Sequence, residues 1–150
     1  QEEIDEPDSN TLKGMRFLCA EDNELNAEIL MELLKIEGAE CIICENGERV
    51  LEAFEQSAPG YYDMILMDVQ MPVMNGYDAT RAIRRSTHEL AKTIPIIAMT
   101  ANAFSEDIQY SLAAGMNAHI SKPVDMKTLE KTIRRIKIGG RGTETQAIEQ

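Results

Sequence analysis

Five short apolar segments alternate with longer amphipathic segments along this chain, and that alternation restricts its fold more than any other feature. The apolar segments have the length of buried strands, and they cover 12–20, 41–44, 64–67, 94–99 and 118–121. The first longer segment repeats apolar residues at helical spacing, through Leu25, Ile29, Leu30, Leu33 and Leu34. Strands joined by helices of this length pair in parallel through right-handed crossovers. The sequence therefore predicts an α/β domain of the doubly wound class.

The length of the chain, 150 residues, suits one hydrophobic core. We expect a flavodoxin-like domain at 12–138, with a five-stranded parallel sheet in the order 2-1-3-4-5 and helices on both faces. Residues 1–11 contain five acidic side chains and no Lys or Arg, and they are predicted to form a flexible leader. The glycine-rich segment from Gly139 is expected to end the last helix and to open a flexible polar tail at 139–150.

The net charge of −11 at pH 7 restricts the partners that the chain can bind. A large share of this charge lies in the leader, so the rest is moderately acidic and offers no basic face to nucleic acid or to an anionic membrane. No apolar run reaches the length of about 18 residues that a membrane helix needs, and no signal peptide is recognisable. We therefore expect a cytoplasmic domain, either independent or the cytosolic part of a membrane-bound protein, that contacts neither nucleic acid nor membrane directly.

The three cysteines, Cys19, Cys41 and Cys44, form no disulfide pattern and suit a reducing compartment. Cys41 and Cys44 make a CxxC motif, but they fall in a predicted strand, where an odd spacing turns the two thiols to opposite faces. Because the sequence has no second such pair, we interpret the cysteines as core residues rather than as metal ligands.

Acidic residues end the two strands that the predicted order places side by side. Glu21 and Asp22 end the first strand and Asp68 ends the third, and ligands of such sheets bind at the carboxyl ends where strand order reverses. Two carboxylates about 4 Å apart repel by about 4 kcal/mol at an effective dielectric near 20, so protonation or a hard divalent cation must neutralise them. Oxygen ligands with room for water favour magnesium. The sequence therefore predicts a magnesium site at this crevice.

Two further strand ends supply groups that suit phosphoryl transfer. The fourth strand stops at Thr100, whose hydroxyl can donate to an anion, and the fifth stops just before Lys122, whose ammonium can offset negative charge. Asp68 would then attack phosphorus and form an aspartyl phosphate. Each residue alone has a simpler explanation, such as a helix cap for Asp22 or a turn for Asp68. Their coincidence at one crevice favours the phosphoryl site.

Four motifs make the chain similar to a known family. They are EDNELN at 21–26, MDVQMPVMNGYDATRAIR at 67–84, MTAN at 99–102 and SKPVD at 121–125. With them, the chain resembles a response-regulator receiver domain over about 13–137. The resemblance implies that the domain takes a phosphoryl group from the phosphohistidine of a histidine kinase with magnesium. The domain would then change conformation and signal to a partner or to a histidine phosphotransfer domain.

The resemblance also implies which residues hold the metal and the phosphoryl group. Glu21 and Asp22 are similar to the acidic metal pair of the family, and Asp68 is similar to its phosphoacceptor and metal ligand. The backbone carbonyl of Gln70 resembles the remaining protein ligand for magnesium.

The resemblance extends to the residues that sense the phosphoryl group. Thr100 is similar to the switch hydroxyl and Lys122 to the lysine of the site, with a cis bond to Pro123. His119 departs from the family pattern, because many receivers have a Tyr or Phe there that moves with the switch residue. Two interpretations stay open: a partly exposed His without a switching role, or an aromatic switch that is weakened or pH-sensitive.

The loop sequences are most similar to receivers of hybrid sensor histidine kinases. A segment of such a kinase and a stand-alone regulator both stay open, since no output domain is expected after Ile138. The expected activities are autophosphorylation and autodephosphorylation only. Gln70 and Asn102 resemble positions that tune the lifetime of the phosphoryl group, and their neutral amides do not drive an attacking water. We therefore expect a lifetime of minutes or longer.

Three rival functions fit the same fold class. A magnesium phosphatase that forms an aspartyl phosphate needs a general acid two residues after the nucleophile, where this chain has Gln70. A nucleotide or flavin binder is disfavoured because the first strand is followed by neither GxGxxG nor a Walker pattern. A binding module that is never phosphorylated is disfavoured by the intact set of site residues, but it stays open.

Overall fold

The computed structural model describes residues 10–101 and 105–149. Within these residues, strands alternate with helices in the order β1 (Arg16–Ala20), α1 (Glu24–Ile36), β2 (Glu40–Cys44), α2 (Gly47–Gln56), β3 (Met64–Asp68), α3 (Gly76–Arg85), β4 (Ile96–Thr100), α4 (Ser105–Ala114), β5 (Ala118–Ser121) and α5 (Met126–Glu149). Residues 1–9 of the expected leader lie outside the described part of the chain. No helix of the described part is both long and apolar enough to cross a lipid bilayer.

The strands form one parallel sheet in the order β2-β1-β3-β4-β5, which confirms the predicted topology. Ala20 of β1 lies opposite Met67 of β3, so the acids that follow in sequence leave the sheet side by side. Thr100 of β4 lies opposite Ser121 of β5, directly before Lys122. The register therefore collects the predicted site residues at the carboxyl edge of the sheet.

Alternating side chains divide the core between the two faces of the sheet. One face packs with buried residues of α2 and α3, which are Val50, Phe54, Ala79 and Ile83. The other face packs with buried residues of α1 and α5, which are Leu30, Leu34, Leu129 and Ile133. Cys44 packs with the first core and Cys41 with the second, so the prediction that their thiols lie on opposite faces is confirmed.

Asparagine side chains begin the helices that follow β1, β2 and β3. The side chains of Asn23, Asn46 and Asn75 each accept a hydrogen bond from a backbone N–H three residues later, at 2.8, 3.0 and 2.9 Å. This is N-cap geometry, which satisfies a donor that the helix itself leaves without a partner. Asn23 is the N-cap of α1, so the carboxylate of Asp22 does not serve as the cap and is available to the crevice.

The last helix is longer than the sequence indicates. The prediction that it ends at Gly139 is wrong, because α5 continues to Glu149. A glycine inside a helix costs only about 1 kcal/mol relative to Ala and breaks no backbone hydrogen bond, so glycines weaken a helix without ending it. The division into leader, domain and tail stays a prediction.

Candidate functional site

Three carboxylates meet at the carboxyl edge of the sheet. Oxygen atoms of Glu21, Asp22 and Asp68 all lie within 4.8 Å of one another. Glu21 and Asp68 are buried, whereas Asp22 is exposed. All of these donors are carboxylate oxygens with an opening to solvent, and this donor set fits a hard divalent cation such as Mg²⁺. The predicted convergence of the strand ends is therefore present.

Lys122 places its ammonium between two of these acids. Its Nζ lies 2.9 Å from Oδ2 of Asp68 and 3.3 Å from Oε1 of Glu21. Burial lowers the pKa of Lys122, but the hydrogen bond and charge of Asp68 and the charge of Glu21 outweigh it, and the pKa is raised. The peptide bond between Lys122 and Pro123 is cis, as the family resemblance implies. Lys122 is therefore a charged partner of both acids.

Glu21 is the acid whose ionisation the fold opposes. Burial raises the pKa of Glu21, and the neighbouring charge of Asp68 raises it further. The backbone N–H of Asn23, which donates to Oε2 at 3.2 Å, and the ammonium of Lys122 act in the opposite direction. A further positive charge at the crevice would thus relieve an unfavourable ionised state.

The loop after β3 holds the carboxylate of Asp68 in place. The backbone N–H of Gln70 donates to Oδ1 at 3.1 Å, so each carboxylate oxygen has a donor of its own. At the end of the loop, the N–H of Gly76 donates to the carbonyl of Val69 at 3.2 Å. A Cβ at Gly76 would overlap the carbonyl of Asp68 and lie 2.9 Å from Cγ of Met67. Only glycine therefore lets α3 begin this close to the site.

The remaining predicted residues lie at or near the same edge. Thr100 is buried at the end of β4, and its carbonyl accepts from the N–H of Lys122 at 2.9 Å. Gln70 is exposed in the loop after β3. His119 is half-buried and lies opposite Ala98 within the sheet. Asn102 lies outside the described residues.

Two features of the site were not predicted from the sequence. The contact of Lys122 with Glu21 is one, because only an offset of charge on a transferring group was expected of this lysine. The steric need for Gly76 is the other, although its position directly after a helix-capping Asn is a recognisable signal. Glycine is uncommon at the start of a helix unless a close neighbour excludes a side chain.

Comparison with known proteins accounts for this arrangement. Residues 17–134 match the family model described as the response regulator receiver domain. The chain belongs to this family. It is therefore a receiver domain of two-component systems, as its motifs predict, and its structural relatives share the fold.

Receivers of hybrid kinases are among the similar sequences. Hybrid signal transduction histidine kinase G of Dictyostelium discoideum is 40% identical over 124 residues, which is 81% of this chain and 4% of that protein. Sensor protein GacS of Pseudomonas syringae pv. syringae is 37% identical over 122 residues, which is 81% of this chain and 13% of GacS. The receiver domain thus spans a small part of the length of these relatives.

Solved receivers with a similar fold contain the expected ligands and a partner. The receiver of sensor histidine kinase PA1611 from Pseudomonas aeruginosa PAO1, with magnesium in its active-site cleft, has a TM-score of 0.72 and 36% identity over 83% of this chain and 98% of that chain. The receiver of CKI1 from Arabidopsis thaliana, complexed with Mg²⁺ and BeF₃⁻, has a TM-score of 0.73 and 29% identity. The match covers 87% of this chain and 94% of that chain. The complex of the Saccharomyces cerevisiae phosphotransfer protein Ypd1 with the Ssk1 receiver has a TM-score of 0.68 and 28% identity. The match covers 79% of this chain and 86% of that chain.

Proposed function

We propose that Asp68 of this receiver domain accepts a phosphoryl group from the phosphohistidine of a histidine kinase or phosphotransfer protein. The observation that carries the proposal is the set of charged groups that lie close to the carboxylate of Asp68. This buried carboxylate has an ammonium at 2.9 Å and the oxygens of two more carboxylates within 4.8 Å. The three carboxylates repel one another, so stability alone does not account for the cluster, and together with the ammonium it suits the transfer of an anionic group.

The transfer balances without any further reactant. A carboxylate oxygen of Asp68 forms a bond to phosphorus while the bond from phosphorus to the histidine nitrogen breaks. The electron pair of that bond returns to the imidazole ring, which leaves as a neutral base when its other nitrogen carries a proton in the reacting phosphohistidine. Lys122 stays next to the carboxylate and offsets charge on the phosphoryl oxygens, and the hydroxyl of Thr100 donates to one of them.

The acidic residues would hold magnesium in this scheme. Glu21, Asp22 and Asp68, with the backbone carbonyl of Gln70, are the proposed ligands. When bound, the ion neutralises the carboxylates and the phosphoryl oxygens together. The single ammonium of Lys122 cannot compensate three carboxylates. The PA1611 receiver contains magnesium in its active-site cleft, and the CKI1 receiver is complexed with Mg²⁺ and BeF₃⁻.

Phosphorylation would act on β4 and β5 through Thr100 and His119. A dianion that binds one arrangement better by a few kcal/mol is sufficient to shift the populations of two states. His119 is proposed as the aromatic part of this switch. The test measures the phosphorylation-dependent shift of the last helix in the wild type and in His119→Tyr, each at pH 6 and at pH 8. Equal shifts in all four measurements would contradict a switching role for His119.

The relatives support a place in a phosphorelay. We propose that the domain is the cytoplasmic receiver of a hybrid histidine kinase and passes its phosphoryl group to a histidine phosphotransfer domain. The solved complex of Ypd1 with Ssk1 supports this type of partner. A cavity of about 280 Å³ with a mainly apolar lining lies at the crevice, and Ile29, Leu33 and Val124 are among the residues that line it. An apolar side chain of the partner would fit in this cavity.

One experiment tests the assignment of Asp68. The wild type and Asp68→Asn are incubated with acetyl phosphate and magnesium, and their intact masses are followed over time. We expect a gain of one phosphate in the wild type, its slow decay, and no gain in the variant. An equal gain in both proteins, or none in either, would contradict the proposal, and rapid repeated turnover would indicate a phosphatase.

A further inference from the structure

The outer face of α5 carries a row of basic side chains. Lys127, Lys131 and Arg135 are all exposed, and their spacing of four residues places them in one row along the helix. Leu129 and Ile133, on the opposite side of the helix, are fully buried. We call this row of three cations the basic stripe, and it extends over about 12 Å because each helical residue adds about 1.5 Å.

The charge of the stripe differs from that of the chain as a whole. Residues 127–137 contain five of the 15 Lys and Arg residues and a single acid, Glu130, whereas the whole chain has a net charge of −11. Within the described part of the chain, no carboxylate forms an ion pair with the three side chains of the stripe. The net charge of the chain gives no indication of this small basic face.

The opposite charge lies in the acidic leader. The leader contains no Lys or Arg, and its five acids are Glu2, Glu3, Asp5, Glu6 and Asp8. Unlike charges at the surface attract each other over about 8 Å at physiological ionic strength. The leader and the last helix therefore carry similar numbers of charges of opposite sign.

The path of the chain brings the leader to this helix. Leu12 is fully buried in the core that also contains Ile133 of α5, and Ile136 packs against the same core. Because α5 follows β5, it starts near the carboxyl edge of the sheet and runs back toward the edge at which β1 begins. Nine residues can reach about 30 Å from Asn10, which is more than the length of the stripe.

The tether makes a weak attraction effective. A single exposed ion pair contributes little, but a segment of the same chain is present at an effective concentration in the millimolar range. Several weak pairs can keep the leader next to α5 without a fixed conformation, so the entropic cost of ordering its backbone does not arise.

We propose that the leader, residues 1–9, binds the basic stripe of α5 through charge attraction. Because it belongs to the same chain, the leader competes with every other acidic surface for this face of the helix, and high salt releases it. The inference goes beyond the proposed phosphoryl transfer and does not depend on it.

The test measures how fast an acetylating reagent modifies individual lysines, since a bound leader shields the lysines of the stripe. The neutral-leader variant keeps the length of the leader and removes its charge through Glu2→Gln, Glu3→Gln, Asp5→Asn, Glu6→Gln and Asp8→Asn. Lys35, which is exposed on α1, is the reference within the same protein. Mass spectrometry measures each rate, and circular dichroism verifies that every variant is folded.

A matched control variant loses the same amount of charge elsewhere. It replaces exposed acids on the side of the domain that contains α2, through Glu45→Gln, Glu48→Gln, Glu52→Gln, Glu55→Gln and Glu89→Gln. This variant shows how far a change of net charge alone alters the lysines.

We expect the neutral leader to raise the acetylation rates of Lys127 and Lys131 about threefold at low salt, which is the effect of releasing exposed ion pairs of ordinary strength. Lys35 in this variant, and both stripe lysines in the control variant, should stay within about 1.5-fold of the wild type. The threefold difference should disappear in about 0.5 M NaCl, where charges are screened beyond about 4 Å.

A carbodiimide, which joins a carboxylate directly to an amine, identifies what binds the stripe. In a mixture of unlabelled and isotope-labelled wild type, we expect cross-links from the leader to Lys127 or Lys131 within one chain. Cross-links between different chains would assign the stripe to a second copy and so overturn the inference, and cross-links to Lys35 as frequent as those to Lys131 would contradict it.

The acetylation rates can overturn the inference as well. Equal rates for the wild type and the neutral-leader variant would do so, as would an equal rise in the control variant. A difference that persists in 0.5 M NaCl, at about the screening length given above, would show that charge does not hold the leader.

Discussion

Lys122 and Asp68 form an ion pair of 2.9 Å although 54 residues separate them in the sequence. The carboxylate of Asp68 is almost fully buried, while the side chain of Lys122 retains 24% of its exposure. Removal of one partner from a buried pair leaves a charge without compensation, which is costlier than the pair itself is favourable. The stability of the fold and the proposed phosphoryl transfer therefore both depend on this contact.

Lys122→Met is expected to lower the free energy of unfolding by about 2 kcal/mol at pH 7. The estimate lies below the 3–5 kcal/mol typical of fully buried pairs, because solvent partly screens Lys122. Urea denaturation in metal-free buffer measures the change. Lys127→Met is the control, since Lys127 is exposed and its loss should change stability by no more than about 0.5 kcal/mol.

Asp22→Asn should stabilise the protein in the absence of metal. Carboxylates about 4 Å apart repel by about 1 kcal/mol in a water-like dielectric, and the exposed position of Asp22 makes that limit appropriate. The same change should remove most of the stabilisation that magnesium confers, because a proposed ligand is lost. Denaturation with EDTA and with magnesium measures both effects. Glu28→Gln, on the exposed side of α1, should show neither.

Gly76→Ala should destabilise the protein by about 3 kcal/mol, because a Cβ there meets backbone as well as side-chain atoms. Gly60→Ala is the informative control. Gly60 has φ +87° but nothing within 4 Å of the added Cβ, so its substitution costs only the backbone strain of about 1 kcal/mol. Thermal denaturation ranks the two variants, and equal losses would show that crowding at Gly76 is unimportant.

Val73 has φ +68° in a turn that the N–H of Met74 and the carbonyl of Pro72 close. Val73→Asn should raise the free energy of unfolding by about 1 kcal/mol, because Asn adopts a positive φ with less strain than a β-branched residue. Val73→Ala removes the apolar side chain but supplies no polar group for local hydrogen bonding, so its gain should be smaller. Urea denaturation of both variants measures the difference. A loss of stability in Val73→Asn would show that the turn is not strained.

Asp125 gives a pH dependence to α5. Its Oδ2 accepts from the N–H of Thr128 at 2.9 Å and from the hydroxyl at 3.0 Å, and these bonds lower the pKa of Asp125. A lowered pKa means that this stabilisation is present above the ordinary Asp value of about 3.9 and disappears as the pH falls below it. Asp125→Ala should therefore cost about 1 kcal/mol at pH 7 and progressively less in acid.

Asp125→Asn is the control for this effect. The amide oxygen still accepts from the backbone, so most of the cap should remain. The contribution of this cap to stability should not change between about pH 2 and about pH 6, which is about two units on either side of the ordinary Asp value. Thermal denaturation at several pH values distinguishes the variants. A parallel pH dependence in wild type and Asp125→Asn would assign the acid sensitivity to other carboxylates.

The sequence predicts most of this fold because the period of its apolar residues changes sharply. The expected span of the fifth strand, 118–121, agrees with β5 at Ala118–Ser121, and topology then brings Asp68 to Glu21. The double contact of Lys122 was not predictable, because it depends on the path of the chain after β5. Nor was the turn at Val73, since propensity favours Gly or Asn at a positive φ. The extension of α5 beyond Gly139 overrides a local stop signal that is weak in energy.

The register between β1 and β3 determines where the acidic side chains of the crevice lie relative to one another. Because Ala20 lies opposite Met67, Glu21 and Asp68 emerge as neighbours, and a slip of one residue would point one of them to the opposite side of the sheet. The geometry of the proposed metal site therefore depends on buried apolar residues such as Leu66, which supply no ligand atom themselves. Substitutions that make these core side chains smaller or larger would change the distances between the carboxylates, although the carboxylates themselves would be unchanged.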